Sequence, residues 1–219
     1  MSKKDNQAAV ALHFDGGAVI AANRRGTVSS DTVFYGYCKE TEVPIILRMS
    51  GTTRAVALAG ETGEVLRSIG DNTRDRLVKA EKAGDQLETV KESAKYLCKH
   101  FWSENDKLHV EILVAGWDNV QKEGAPCIWY GNHLCPSIVA SQRAIGPGRV
   151  STRGILARHK IGISEKEAIE LAEQAIVEVA VCCHQKEGSL DVWVIRDGKI
   201  TKNQTQLMTH VAEKYGVSI

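Results

Sequence analysis

The chain has 219 residues, of which 43% are apolar and 25% are charged, proportions typical of folded globular proteins and not of disordered chains. Its 28 basic and 27 acidic residues nearly cancel, so the basic excess that binds nucleic acid or an anionic membrane is lacking. No apolar run reaches the ~18–20 residues that cross a bilayer, and the polar N-terminus has no apolar core of a secretory signal. We therefore expect a globular protein that binds neither nucleic acid nor a membrane.

The cysteines indicate a reducing compartment. There are six, none with the spacing of a zinc ribbon, and adjacent Cys182 and Cys183 would bridge only through a strained ring. Together with His184 they suggest a metal site or a reactive thiol. Adjacent helical residues point about 100° apart and no further ligands are evident, so packing as small apolar side chains is favoured. We expect reduced thiols in the cytoplasm and nucleus, with no metal and no cofactor.

Four strands are predicted in the first part of the chain, at residues 8–14, 18–23, 32–39 and 44–49. Asp15-Gly16-Gly17 joins the first two, because glycine tolerates the positive φ that tight hairpins need. The same glycines suggest a phosphate-binding loop, but they lack its spacing and no helix pattern follows, so the hairpin is favoured. The second strand is nearly all apolar and is predicted to be buried on both faces.

Helices alternate with strands in the rest of the chain. Helices are predicted from Thr52 or Thr53 to Ile69, from Asp85 to Phe101 and from Val150 to His159. Ser164 and Glu167 form a capping box that begins the clearest helix. Further strands are predicted at residues 108–117, 125–130 and 137–144, with a closing hairpin at 190–201. This order gives an α+β fold with helix layers on both sides of paired sheets.

Polar and basic residues gather at two strand ends. Asn23, Arg24 and Arg25 follow the second strand, and Lys39 ends the third. Unpaired buried charge is costly, so these side chains must find partners or solvent. A solvated strand end is one interpretation. The other is catalytic, because a lysine beside an N-terminal residue lowers the pKa of a nucleophile or takes its proton.

Collinear motifs connect the sequence with a known family. The run from Ala11 to Arg25 resembles the first hairpin of a β-type subunit of the 20S proteasome. Met49-Ser50-Gly51 looks like the family's substrate-pocket and oxyanion segment. Residues 114–118 (VAGWD) are similar to its central strand, and residues 144–149 (AIGPGR) to its glycine-rich turn. The resemblance covers roughly residues 8–200 and is strongest to the caspase-like, or β1, type.

The resemblance implies the four-layer αββα sandwich of the N-terminal-nucleophile hydrolases. In that family, cleavage of a Gly-Thr bond frees a threonine whose hydroxyl attacks the peptide carbonyl, with its own amine as base. A lysine lowers the pKa, and an aspartate and an arginine position that lysine. A serine and a second aspartate complete the site, and a glycine N–H binds the oxyanion.

Only part of this site is retained here. Lys39, Arg25 and Gly51 match the lysine, the arginine and the oxyanion glycine, and Met49 matches the pocket. The changed positions are Gln7 (preceded by Asn6) for the nucleophile, Asn23 and Cys183 for the aspartates, and Arg149 for the serine. Because glutamine has no hydroxyl, we expect no self-cleavage. Residues 1–7 would then remain as an N-terminal extension before a single domain at residues 8–219.

The function implied is that of a non-catalytic β-type subunit, assembled with other α- and β-type subunits of a 20S core particle. Two alternatives stay open. One is an active N-terminal-nucleophile or thiol hydrolase that uses Ser2 or Cys183. The other is a free-standing β-like protein that regulates assembly.

Overall fold

The computed structural model describes residues 8–24, 46–48, 54–59, 75, 79, 89–104, 111–118, 124–131, 136–139, 141–182, 188–202 and 205–219. The first two strands, β1 (Ala9–Phe14) and β2 (Gly17–Arg24), pair antiparallel. Gly16 in their turn has a φ of 86°, and a Cβ on Gly17 would lie 2.4 Å from the carbonyl oxygen of Ile195. The predicted hairpin is confirmed, and a phosphate loop at Gly16-Gly17 is excluded because a strand follows in place of a helix.

Strand β2 lies inside the first sheet, whose order is β10-β9-β2-β1-β8, with β11 also paired to β9. The strands that join the hairpin are β8 (Gln142–Ile145), β9 (Ser189–Arg196), β10 (Lys199–Lys202) and β11 (Gln206–Leu207). Residues 18–22 of β2 have no exposed surface. The prediction that this strand is buried on both faces is therefore confirmed.

The second sheet contains the main correction to the sequence prediction. Its order is β3-β4-β5-β6-β7, formed by β3 (Ile46–Arg48), β4 (Arg54–Ala59), β5 (Glu111–Asp118), β6 (Ala125–Gly131) and β7 (Pro136–Val139). The helix predicted from Thr52 or Thr53 to Ile69 is wrong at residues 54–59, which form β4. Ala55, Ala57 and Ala59 alternate along this strand and face the core between the sheets. Pairing with β3 and β5 outweighs the helix propensity of alanine and leucine.

Helices cover the outer face of each sheet. Helix α1 (Val90–Glu104) packs on β5 and β6, and α3 (Glu165–Cys182) packs on β1 and β2. The helix predicted at residues 150–159 is in fact a 3₁₀ turn (Pro147–Val150) followed by the one-turn helix α2 (Arg153–Leu156). Helix α4 (Met208–Lys214) was not predicted. The layers confirm the α+β, αββα sandwich, and no described helix is long and apolar enough to cross a membrane.

Two apolar cores hold the layers together. One lies between the sheets and joins Ile20 of β2 and Ile145 of β8 to Leu113 of β5 and Ile128 of β6, all fully buried. The other lies between the first sheet and α3, where Ala172, Ile176 and Val179 have no exposed surface. The predicted capping box begins α3: Glu167 accepts a hydrogen bond from Ser164 N (2.8 Å), and Ser164 Oγ accepts one from Glu167 N (3.3 Å).

Asp118, the last residue of β5, anchors the start of α1. Its carboxylate accepts a 2.7 Å hydrogen bond from Val90 N, one of the helix N–H groups that lack a partner within the helix. Burial raises the pKa of Asp118, and this effect outweighs the Val90 hydrogen bond and the charge of Arg54, which both lower it. The carboxyl therefore binds its proton more tightly in the folded chain than in the unfolded chain.

The raised pKa of Asp118 makes the free energy of unfolding depend on pH. Between the two pKa values the folded chain holds more protons, so the unfolding free energy falls as the pH rises through that interval, starting near pH ~4. We expect Asp118→Asn to keep the Val90 hydrogen bond and to lose this fall. Asp118→Ala, the comparison variant, should be about 1 kcal/mol less stable than Asp118→Asn at every pH because the acceptor is removed. Urea unfolding from pH 3.5 to 7 checks both, and a fall of equal size in Asp118→Asn would contradict the assignment.

Candidate functional site

The predicted site lies at the end of the sandwich where β1 begins. Ala9 is opposite Ile145 of β8 on one side and Ala22 of β2 on the other. Gly146 and Asn23, the residues that follow these partners, therefore flank Ala8, the first described residue. Two of the sequence-predicted positions, Asn23 and Arg149, are thereby brought to the same end of the first sheet.

Asn23 fixes the backbone at Ala8. Its side-chain Oδ1 accepts a 2.7 Å hydrogen bond from Ala8 N, and its own N–H donates to the Ala8 carbonyl at 3.2 Å. Both residues are completely buried. A buried N–H without an acceptor is strongly destabilising, which gives the amide oxygen a structural role at the point where the chain enters the sheet.

A carboxylate that the sequence analysis missed organises the other side of this end. Glu111, the first residue of β5, accepts hydrogen bonds from Gly146 N (2.7 Å), Arg149 Nη1 (2.9 Å) and Tyr130 OH (2.9 Å). These donors belong to the turn after β8, to the 3₁₀ turn and to β6. Glu111 therefore ties the second sheet to the turn beside Ala8. The sequence signal that could have identified Glu111 is an acidic residue at the start of an apolar strand.

The positive charge of Arg149 is therefore balanced by the Glu111 carboxylate. Its guanidinium pairs with Glu111 and also donates to the Gly146 carbonyl at 3.3 Å, with the side chain about half exposed. The hydroxyls that follow it are also engaged: Ser151 Oγ donates to the Gly148 carbonyl and Thr152 Oγ1 to the Arg149 carbonyl, both at 2.8 Å. These two hydroxyls stabilise the 3₁₀ turn, and neither is paired with a base from the residues that the structure describes.

Six predicted positions lie outside the described residues: Gln7, Arg25, Lys39, Met49, Gly51 and Cys183. Met49 and Gly51 belong to the connection between β3 and β4. Arg48 and Arg54, which flank that connection, pair with residues at the end of the second sheet away from Glu111. The family resemblance predicts that Gly51 comes just before a long helix, whereas the next described element is strand β4.

The side chains that the structure describes do not form a metal centre. The described side chains include no group of three histidine, cysteine, aspartate or glutamate residues placed to hold an ion. Within the described part of the chain, this end of the sandwich provides hydrogen bonding through Asn23 and the Glu111–Arg149 ion pair.

The role given to Asn23 predicts a measurable stability effect. We expect Asn23→Ala to lower the unfolding free energy by ~1–3 kcal/mol, because Ala8 N–H stays buried without its acceptor. Denaturant unfolding measures the loss, and hydrogen exchange at Ala8 should accelerate with it. Gln174→Ala, which removes an exposed amide contact with Arg158, is the control and should change stability by less than ~0.5 kcal/mol. Equal effects in the two variants would argue against this role.

Comparisons with known proteins cover this entire site. A family model described as "Proteasome subunit" matches residues 4–195. "Proteasome subunit beta 2" of Korarchaeum cryptofilum (strain OPF8) is 31% identical over 171 residues, which amount to 78% of this chain and 81% of that relative. The residues described at the candidate site, from Ala8 to Arg149, all fall inside the family match.

Proposed function

Since the chain belongs to the proteasome subunit family, as a β-type subunit, we propose that it is a non-catalytic member of the β ring of a 20S core particle. In this role it contributes walls and contacts to a particle whose peptidase sites lie on other subunits. Its partners are other α- and β-type subunits, and its compartments are the cytoplasm and the nucleus. We place it with the caspase-like type on the motifs of residues 11–25, 114–118 and 144–149.

The observation that carries the proposal is the residue at the nucleophile position. Gln7 stands immediately before Ala8, and a glutamine amide can neither attack a carbonyl nor release a new N-terminus by self-cleavage. Asn23 supports the same conclusion, because its neutral amide oxygen is engaged by Ala8 N–H and carries no charge with which to hold a lysine. Arg149 places a cation, already paired with Glu111, where the family has a small hydroxyl.

Restoring the nucleophile tests whether the site is inactive for these reasons. We expect Asn6→Gly with Gln7→Thr to give neither self-cleavage nor peptide hydrolysis, because the new threonine still faces altered neighbours. Catalytic groups that act as a unit are strongly non-additive, so one restored member recovers little. Adding Asn23→Asp, Arg149→Ser and Cys183→Asp is the minimum for detectable cleavage. Intact-mass analysis and fluorogenic peptides report both steps.

Activity of the two-residue variant alone would overturn this account of the inactive site while supporting the fold and the family. Peptidase activity of the unmodified chain, abolished by Ser2→Ala or Cys183→Ala, would instead favour an active hydrolase.

Assembly is tested separately by native mass. We expect the protein, carrying an epitope tag before Met1 and expressed in the cells that naturally make it, to elute in a particle far larger than the 23.9 kDa chain. The tag should remain on the assembled chain, because residues 1–7 are not removed. A tagged chain found only as a monomer or dimer would favour the free-standing assembly regulator.

A further inference from the structure

Two turns of the first sheet are formed by the same dipeptide, aspartate followed by glycine. Asp15-Gly16 joins β1 to β2, and Asp197-Gly198 joins β9 to β10. Each loop consists of these two residues alone, because the residues on either side of it pair with each other across the hairpin. The glycines have positive φ values of 86° and 64°, which two-residue loops commonly require. One dipeptide therefore occurs at two places whose surroundings differ.

An aspartate followed by glycine rearranges without an enzyme. The glycine nitrogen attacks the side-chain carboxyl carbon of the aspartate, a C–N bond forms, and one water molecule leaves, which gives a five-membered succinimide ring. Water then adds to one of the two ring carbonyls and opens the ring. Opening on one side restores aspartate, and opening on the other gives isoaspartate, whose main chain runs through the side-chain carbons. The water lost is regained, so no oxidant, reductant or other reactant is needed.

Both turns are open to this reaction. Both aspartates and both glycines of the loops are exposed. No described residue forms a hydrogen bond or an ion pair with either aspartate side chain. A Cβ built on Gly16 or Gly198 would have nothing within 4 Å, so neither loop is crowded by neighbouring atoms. Apart from their flanking residues, the loops differ in how firmly the backbone is held.

The backbone at Asp15 is held from several sides. Strand β1 pairs with β8 as well as with β2, and β2 pairs in turn with β9. Asp15 N donates a hydrogen bond to the Ile163 carbonyl at 2.9 Å, and His159 Nε2 is 2.7 Å from the His13 carbonyl oxygen. Closing the succinimide ring requires rotation of the backbone at the aspartate. These contacts oppose that rotation.

The backbone at Asp197 is held from one side. The strand that follows it, β10, has four residues and forms the edge of the sheet. Among the described strands it pairs with β9 alone. Short edge strands open locally at a lower free energy than strands inside a sheet. The Asp197-Gly198 turn therefore reaches the conformations that close the ring more often than the Asp15-Gly16 turn does.

We propose that Asp197-Gly198 is a site of spontaneous isoaspartate formation, and that the contacts around Asp15-Gly16 protect that turn. Isoaspartate adds one methylene to the main chain of a two-residue loop, and the length of this loop sets the register of β10 on β9. Ile200 of β10 packs against the core between the sheets, so the modified chain loses this contact when the register fails. The proposal is independent of whether the chain is catalytic.

The test follows oxygen exchange in the protein purified from the cells that make it. During incubation in heavy-oxygen water, each ring opening leaves one heavy oxygen atom in the chain, which peptide mapping by mass spectrometry detects at both turns in one sample. Isoaspartate is identified by its resistance to an endoprotease that cuts before aspartate. Synthetic peptides of residues 12–19 and 194–201 correct for the flanking residues. Relative to its peptide, Asp197 should exchange at least about fivefold faster than Asp15.

Two variants assign the exchange to the reacting side chain. Asp197→Glu should lose exchange at residue 197, because its ring would have six members and closes far more slowly, while exchange at Asp15 stays unchanged. Asp15→Glu is the matched control and should leave exchange at Asp197 unchanged. Circular dichroism confirms that both are folded.

Hydrogen exchange of the incubated protein reports the structural effect. Protection of residues 199–202 should fall as isoaspartate accumulates, whereas protection of β1 and β2 should not. The proposal is overturned by absent oxygen exchange at Asp197, by a relative rate at Asp15 equal to or above that at Asp197, or by undiminished exchange in Asp197→Glu.

Discussion

Ile176→Asp is expected to abolish soluble, folded protein. Ile176 lies in the middle of α3 with no exposed surface, within the core between that helix and the first sheet. The substitution removes a buried apolar side chain, worth ~2–3 kcal/mol, and places a carboxylate there without a partner, which costs several kcal/mol more. The sum is comparable with the ~5–15 kcal/mol that stabilises a typical domain.

Leu207→Asp is the matched control for this prediction. Leu207 is 45% exposed and occupies the N-cap of α4, where no side chain caps the helix. Aspartate is a preferred N-cap, so this variant should be as stable as the parent or slightly more stable. Soluble expression and thermal unfolding compare the two. A folded Ile176→Asp protein would show that the buried face of α3 has been misplaced.

Glu173→Ala is expected to release the C-terminal segment. The Glu173 carboxylate accepts hydrogen bonds from Gln206 Nε2 (3.1 Å), Lys214 Nζ (2.6 Å) and Tyr215 OH (2.6 Å), and only 2% of the residue is exposed. Burial and this carboxylate both raise the pKa of Tyr215, so its phenol stays protonated and donates. Removing the shared acceptor should cost ~2–4 kcal/mol.

Hydrogen exchange shows which part of the chain loses stability in Glu173→Ala. Protection should fall first in residues 205–219, and in β1 and β2 only when the whole domain unfolds. Glu173→Gln keeps one acceptor oxygen and should lose about half as much stability. Glu170→Ala, one turn earlier on the same helix and partly exposed, should change it by less than ~0.5 kcal/mol. Uniform loss of protection across the chain in Glu173→Ala would show that the segment is not a separate unit.

Local signals in the sequence were sufficient for several elements. The Asp15-Gly16 turn and the Ser164–Glu167 capping box each depend on a few adjacent residues, and both were predicted correctly. Residues 54–59 show where local signals fail. A short run of alanine, valine and leucine suits a helix or a strand, and pairing with β5, more than 50 residues later in the chain, decides between them.

At the candidate site, too, local sequence signals fail where contacts join residues far apart in the chain. The resemblance pointed to Asn23 and Arg149, but the contact of Arg149 with Glu111 joins residues 38 positions apart. No spacing rule links an acidic residue at the start of one strand to an arginine after another, because the link exists only once the two sheets are stacked. The contact between Glu173 and Tyr215 spans 42 positions and was missed for the same reason.

The position of β2 has a consequence for how the chain is made. Its Ala18 pairs with Ile195 of β9, a residue translated 177 positions later, so β2 leaves the ribosome long before one of its two neighbours exists. Until then the hairpin of β1 and β2 presents an apolar strand edge that can pair with other chains. Contacts so distant in sequence also slow folding. The nascent chain is therefore vulnerable to aggregation throughout most of its synthesis, and that period ends only when β9 reaches the sheet.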